Sequence, residues 1–107
     1  MKKENSGKEV LLDPELIRKL VVGIGEVSDI TGVPTRKIRY WEEKGIIQSQ
    51  NSKTTLRKYN YLTIKKILLI DELLTEGYTL EKAAEKVTQR IEKLNEVFSK
   101  LQEENNK

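Results

Sequence analysis

The sequence predicts a mostly α fold: two short helices joined by a tight turn, a small basic β-hairpin, a central helix and a long C-terminal helix. Three observations predict it. Residues Pro34 to Gly45 (PTRKIRYWEEKG) form a two-faced segment at helical spacing. At about 100° per residue, Arg36, Arg39, Tyr40 and Glu43 fall on one side and Ile38 and Trp41 on the other. Just upstream, a short apolar-patterned stretch ends at Gly32, where a left-handed residue is wanted. From Leu80 onward, Leu80, Ala84, Val87, Ile91, Leu94, Phe98 and Leu101 step by fours and threes without Gly or Pro, a heptad seam.

Residues 1–12 open with MKKENSGKE, polar and aperiodic, and read as a disordered arm. Asp13-Pro14 is a helix start, with Asp as N-cap and Pro at the first helical position. Leu16, Ile17 and Leu20 line one face, which should pack on the main body, with a second copy of the protein as the alternative. Val21-Val22 reads as a brief strand stopped by Gly23. The GxG at Gly23–Gly25 is no dinucleotide fingerprint, because the third glycine and a βαβ context are missing. A short helix, Glu26 to Thr31, follows, with Val27 and Ile30 facing inward. The turn through Gly32 leads straight into the helix that begins around Pro34, which makes a helix-turn-helix with the second helix as reader.

Gly45 closes the reading helix. Ile46-Ile47 should begin a strand, Gln48 to Thr55 form a hairpin tip, and Leu56 to Tyr59 return with Arg57 and Tyr59 on one face. A basic hairpin placed there is a wing suited to backbone phosphate, with Arg57 as the leading contact and Lys53 and Lys58 as helpers. For Tyr59 a phosphate contact and packing on the body both stay open. Asn60 caps a central helix to about Glu76, whose broad apolar surface includes Ile64, Ile67, Ile70 and Leu74. Gly77 stops it and Thr79 caps the next helix, in which Thr88 could mark a break. The part from Ile91 to Leu101 has little domain left to cover it, so a two-stranded coiled coil is expected over self-packing against the N-terminal helix.

Composition narrows the function classes. The chain has 107 residues, enough for one small domain plus an appendage. It has no cysteine and no histidine, which removes disulfides, the usual transition-metal ligands and the commonest general base. No enzyme, metal or cofactor is expected, and no nucleophile–base pair is visible. No apolar run is long enough to span a bilayer and no signal-peptide core is present, so a cytoplasmic, nucleoid-associated protein without membrane contact is expected. Net charge is only +3, but Pro34 to Asn60 holds seven basic residues against two acidic ones. That confined basic patch is the footprint of a polyanion-binding surface. Arg suits it because its planar fork matches phosphate oxygens or a guanine edge.

The segment IGEVSDITGVPTRKIRYWEEKGII resembles the opening of the MerR-family transcription regulators. The matching residues are Ile24 to Val27, Gly32-Val33, Arg39-Tyr40-Trp41-Glu42 and Gly45-Ile46-Ile47. Arg57-Lys58-Tyr59 is similar to the family's Arg-x-Tyr, and Gly77-Tyr78-Thr79-Leu80-Glu81 to its Gly-aromatic-Ser-Leu-Glu. The resemblance implies a winged helix-turn-helix that binds double-stranded DNA as a homodimer through its C-terminal helix. It also implies DNA contacts from Arg36, Arg39 and Tyr40 and from Arg57 and Tyr59. There are departures: Pro34 stands in place of a Ser or Thr cap, Trp41 replaces the commoner Tyr, and no Gly precedes the wing Arg. A short architecture without an effector domain is similar to the nitrogen-control branch, which implies a regulatory protein partner.

The expected organisation is thus an arm over 1–12, a DNA-binding domain with its short N-terminal helix over 13–87 and a coiled-coil helix over 88–107. The candidate DNA-binding residues are Thr35, Arg36, Lys37, Arg39, Tyr40, Lys53, Arg57, Lys58 and Tyr59. The candidate dimerisation residues are Val87, Ile91, Leu94, Phe98 and Leu101. The expected function is a sequence-specific, dimeric transcription regulator. A phage excisionase-like or architectural DNA-binding protein, and a protein-binding adaptor on the same fold, are the alternatives.

Overall fold

A computed structural model describes residues 13–50 and 57–105. Two compact units divide the chain, Met1–Ile67 and Leu68–Lys107.

In the first unit, α1 (Pro14–Lys19) starts as expected: the Asp13 carboxylate accepts from the Glu15 N–H at 3.0 Å and the Leu16 N–H at 3.4 Å. These are two of the donors a helix start leaves unpaired. β1 (Val21–Val22) pairs antiparallel with β2 (Tyr59–Asn60), Val21 opposite Asn60 and Val22 opposite Tyr59. The helix α2 (Ile24–Thr31) begins two residues earlier than expected, on the extended Gly23. Its C-terminal turn is made by Gly32 at φ 76°, whose N–H bonds the Ser28 carbonyl at 2.8 Å. The Thr31 hydroxyl then ties the end of α2 to the turn, donating to the Val27 carbonyl at 2.8 Å and accepting from the Val33 N–H at 3.1 Å.

The next helix, α3 (Thr35–Glu43), packs against α2. Pro34 occupies its N-cap without a side-chain hydrogen bond, consistent with the missing Ser or Thr. Its far end is a Schellman motif. The Gly45 N–H bonds the Glu42 carbonyl at 3.0 Å and the Ile46 N–H bonds the Trp41 carbonyl at 2.9 Å, with Gly45 at φ 78°. Val27, Val33, Ile38, Trp41, Ile47, Tyr59 and Ile67 form the buried core of this unit.

Three expectations are corrected here. Ile30 is 58 % exposed, because α2 is only two turns long and touches the body along the side of Val27. Leu16 and Leu20 also stay exposed, leaving only Ile17 of that face half-buried. Ile46-Ile47 forms no strand. The Ile46 N–H is committed to the Schellman turn, Ile47 is buried, and the Gln48 carbonyl accepts from the Thr63 hydroxyl at 3.0 Å. The backbone there is satisfied without a ladder. The base of the wing survives as a bridge between Gln50 and Lys58, and the tip, 51–56, lies outside the described residues.

The helix α4 (Tyr61–Thr75) is capped by Asn60, whose side-chain oxygen accepts from the Thr63 N–H at 3.0 Å. In the second unit, α5 (Leu80–Asn105) begins with the Thr79 hydroxyl accepting from the Lys82 N–H at 3.2 Å. It runs unbroken through Thr88. Ile70, Ala83 and Val87 are buried within this unit. Ala83 is fully buried, and Ala84, on the heptad seam, is half-buried. Val87 is 4 % exposed, which corrects its place among the dimerisation residues: its own chain already covers it.

Candidate nucleic-acid interface

The two faces of α3 differ as its spacing requires. Ile38 is 0 % and Trp41 2 % exposed, so the apolar side is fixed in the core. Arg36, Lys37, Arg39 and Tyr40 are exposed on the rest of the surface, and Thr35 is half-buried. Among the described residues no ion pair engages Arg36, Lys37 or Arg39. Their charges face water. Tyr40 carries the Lys44 ammonium over its ring at 5.5 Å from the centroid, a cation–π contact near the end of the helix.

The wing residues are organised by one carboxylate. Glu42 lies three residues after Arg39, hence on a neighbouring part of the helix surface. Its side chain is 9 % exposed and accepts from three donors. The Tyr59 hydroxyl donates to Oε1 at 2.6 Å, the Ser49 hydroxyl to Oε2 at 2.7 Å, and Arg57 Nη1 lies 3.0 Å from Oε2. Burial alone pushes the Glu42 carboxyl up, but the hydrogen bonds from Tyr59 and Ser49 and the charge of Arg57 outweigh it. The net result lies below the ordinary carboxylate value. Burial and the adjoining Glu42 carboxylate push the Tyr59 phenol up to about 12.

This cluster sorts the expected contacts. Arg57 is brought beside α3, with its side chain 40 % exposed and one guanidinium nitrogen engaged by Glu42. Lys58 is exposed next to it. Tyr59 is 0 % exposed and its hydroxyl is turned to Glu42, so the choice left open between phosphate and body falls to the body. As a DNA contact Tyr59 is corrected: the ring is buried in the core and the hydroxyl is spent on Glu42, whereas the longer Arg57 side chain still reaches solvent. Lys53 lies outside the described residues. The sequence reading gave Glu42 no role. Its signal was an acid inside a strongly basic stretch, opposite an Arg-x-Tyr strand that aims both side chains the same way. Nothing metal-like adjoins this surface: among the described residues no three acidic side chains gather to hold an ion.

On α5, Leu94 and Leu101 are 50 % and 49 % exposed, Val97 is 48 % exposed and Ile91 is half-buried. The Phe98 side chain lies outside what is described. No helix among the described residues is long and apolar enough to cross a membrane.

The family model described as "MerR HTH family regulatory protein" matches residues 23–90. The HTH-type transcriptional regulator TnrA of Bacillus subtilis is 37 % identical over 59 residues, covering 55 % of this chain and 54 % of that protein. The HTH-type transcriptional regulator GlnR of Bacillus anthracis is 33 % identical over 57 residues, 53 % of this chain and 44 % of its own length. GlnR of Bacillus cereus gives the same figures. The chain thus spans about half the length of the curated relatives it matches. With the family match running from the cap of α2 into α5 and taking in both α3 and the Arg57–Tyr59 segment, the chain belongs to the MerR HTH family.

Proposed function

We propose that the chain is a sequence-specific, homodimeric DNA-binding transcription regulator acting in the cytoplasm on the nucleoid. In this reading α3 enters a major groove. Arg36, Arg39 and Tyr40 reach base edges and nearby phosphates, and Thr35 and Lys37 meet the flanking backbone. Arg57 and Lys58, with Lys53 from the wing tip, grip phosphate beside the groove. The observation that carries the reading is the pairing of an apolar-anchored α3, its cations open to water, with an Arg57 held 3.0 Å from that same helix. One duplex can then meet both elements. The relatives named above, all three transcriptional regulators, support the regulatory role over a protein-binding adaptor.

Selection of bound fragments from random DNA, followed by sequencing, tests this. A pseudo-palindromic site is expected. Tandem direct repeats would favour the architectural reading, and no enrichment would end the DNA-binding one. On the selected site, Arg39→Ala should cost about 1–3 kcal/mol and relax preference at one position, as loss of a forked base contact does. Arg57→Ala should weaken all sequences alike and lower the salt slope by about 1, as loss of a phosphate contact does. Each variant is compared with wild type by titration at several salt concentrations.

A further inference from the structure

We propose that Glu42 is a positioning residue of the DNA interface: its carboxylate sets the Arg57 guanidinium beside α3, so removing this negative charge weakens DNA binding. The inference rests on the DNA-binding reading above and adds an acidic residue to it.

Simple Coulomb reasoning predicts the opposite sign. An acid within a basic, phosphate-facing surface repels the duplex, and its loss should tighten the complex. Glu42, however, does not face outward. Its side chain is 9 % exposed and its oxygens are filled by three donors, none from its own helix. Ser49 immediately precedes Gln50, and Arg57 immediately precedes Lys58, the two residues of the bridge at the base of the wing. One carboxylate on α3 therefore holds both limbs of that base.

Arg57 is the only one of the three donors that still reaches solvent with its charge. Nη1 is engaged at 3.0 Å while the side chain stays 40 % exposed. A guanidinium has five N–H donors, so most remain for phosphate. Holding one edge removes much of the freedom of a long side chain before DNA arrives, and the contact then costs less entropy. The Tyr59 hydroxyl on Oε1 fixes the carboxylate plane, and the plane fixes the guanidinium.

The test is a double-mutant cycle on a duplex selected from random DNA with the wild-type protein. Glu42→Gln keeps the size and an acceptor for Tyr59 but loses the charge. Arg57→Ala is expected to bind about tenfold and Glu42→Gln about fivefold more weakly, within the range for residues sharing one ion-pair network. The double variant should bind no more weakly than Arg57→Ala alone. Thermal melts followed by circular dichroism check folding. If Glu42→Gln does not fold, Ser49→Ala takes its place in the cycle: it keeps the charge and removes one restraint on Oε2. It is expected to lose about twofold, and nothing in the Arg57→Ala background. Wild-type or tighter binding by Glu42→Gln, or a loss that persists undiminished without Arg57, overturns the positioning role alone. Wild-type binding by Arg57→Ala overturns the contact assignment beneath it.

Discussion

Tyr59 is a polar aromatic fully inside a small core, and its hydroxyl donates to Glu42 Oε1 at 2.6 Å. Replacing it by Phe keeps the ring and strands a buried carboxylate oxygen. Hydrogen bonds to charged groups contribute about 1.5–3 kcal/mol, so Tyr59→Phe should lose about 2 kcal/mol of stability in urea titrations. The same pair predicts how stability varies with pH. The phenol is pushed from 10.0 to about 12 in the fold. Above pH 10 the unfolded chain therefore releases this proton first. The stabilisation is complete below pH 10 and disappears as pH rises through about 12, on the order of 2–3 kcal/mol in all. Glu42 behaves in the opposite sense. Its folded value is depressed, so its contribution is present above the ordinary carboxylate value and is lost as pH falls through the lower folded one. Equilibrium unfolding measured against pH should show both slopes in wild type; Glu42→Gln should remove the acid slope and weaken the alkaline one, and Tyr59→Phe should remove the alkaline slope and weaken the acid one, because each group shifts the other.

At the scale of elements, what could be read beforehand followed from local chemistry. The caps at Asp13, Asn60 and Thr79, the stop at Gly32 and the buried pair Ile38 and Trp41 each depend on residues a few positions apart, and each formed. Ile30 failed because helical spacing says which residues share a face, not how wide a contact a short helix makes. Ile46-Ile47 failed because a β-branched pair reads as a strand, whereas the Schellman turn and the Thr63 hydroxyl had already taken the backbone groups a ladder needs. Glu42 was missed for a related reason: its three donors come from 7, 15 and 17 residues away, and no local pattern announces such a meeting. The turn after α3 carries its own prediction. Gly45 has φ 78° and open space where a Cβ would stand, so Gly45→Ala meets backbone strain and no clash. That should cost about 1–2 kcal/mol. Gly25, inside α2, has equally open space and no positive φ, and Gly25→Ala should stabilise by about 0.4–1 kcal/mol through the unfolded state. Thermal melts of the two variants, shifting in opposite directions, check both.

For the whole molecule the question is what α5 does beyond its first turns. Ala83 and Val87 are buried, but Leu94, Val97 and Leu101 are about half exposed, and they sit on a helix that runs unbroken to Asn105. Leu94 and Leu101 are seven residues apart and continue the seam that starts at Leu80, the spacing that keeps apolar side chains on one line of a supercoiled pair. An isolated helix end gains nothing from such a line, whereas a second copy would bury it, and a pseudo-palindromic site would match the resulting two-fold axis. Dimerisation would also place two α3 helices on one duplex, so that the second copy binds at high effective concentration. Leu94→Asp combined with Leu101→Asp puts like charges on that line without touching Ala83 or Val87. The variant should retain its helical circular dichroism, sediment as a monomer where wild type sediments as a dimer, and bind the selected duplex at least a hundredfold more weakly, the lower end of the usual gain from linking two sites. A wild-type chain that sediments as a monomer at micromolar concentration and still holds its palindrome tightly would place the two-fold contact elsewhere than on α5.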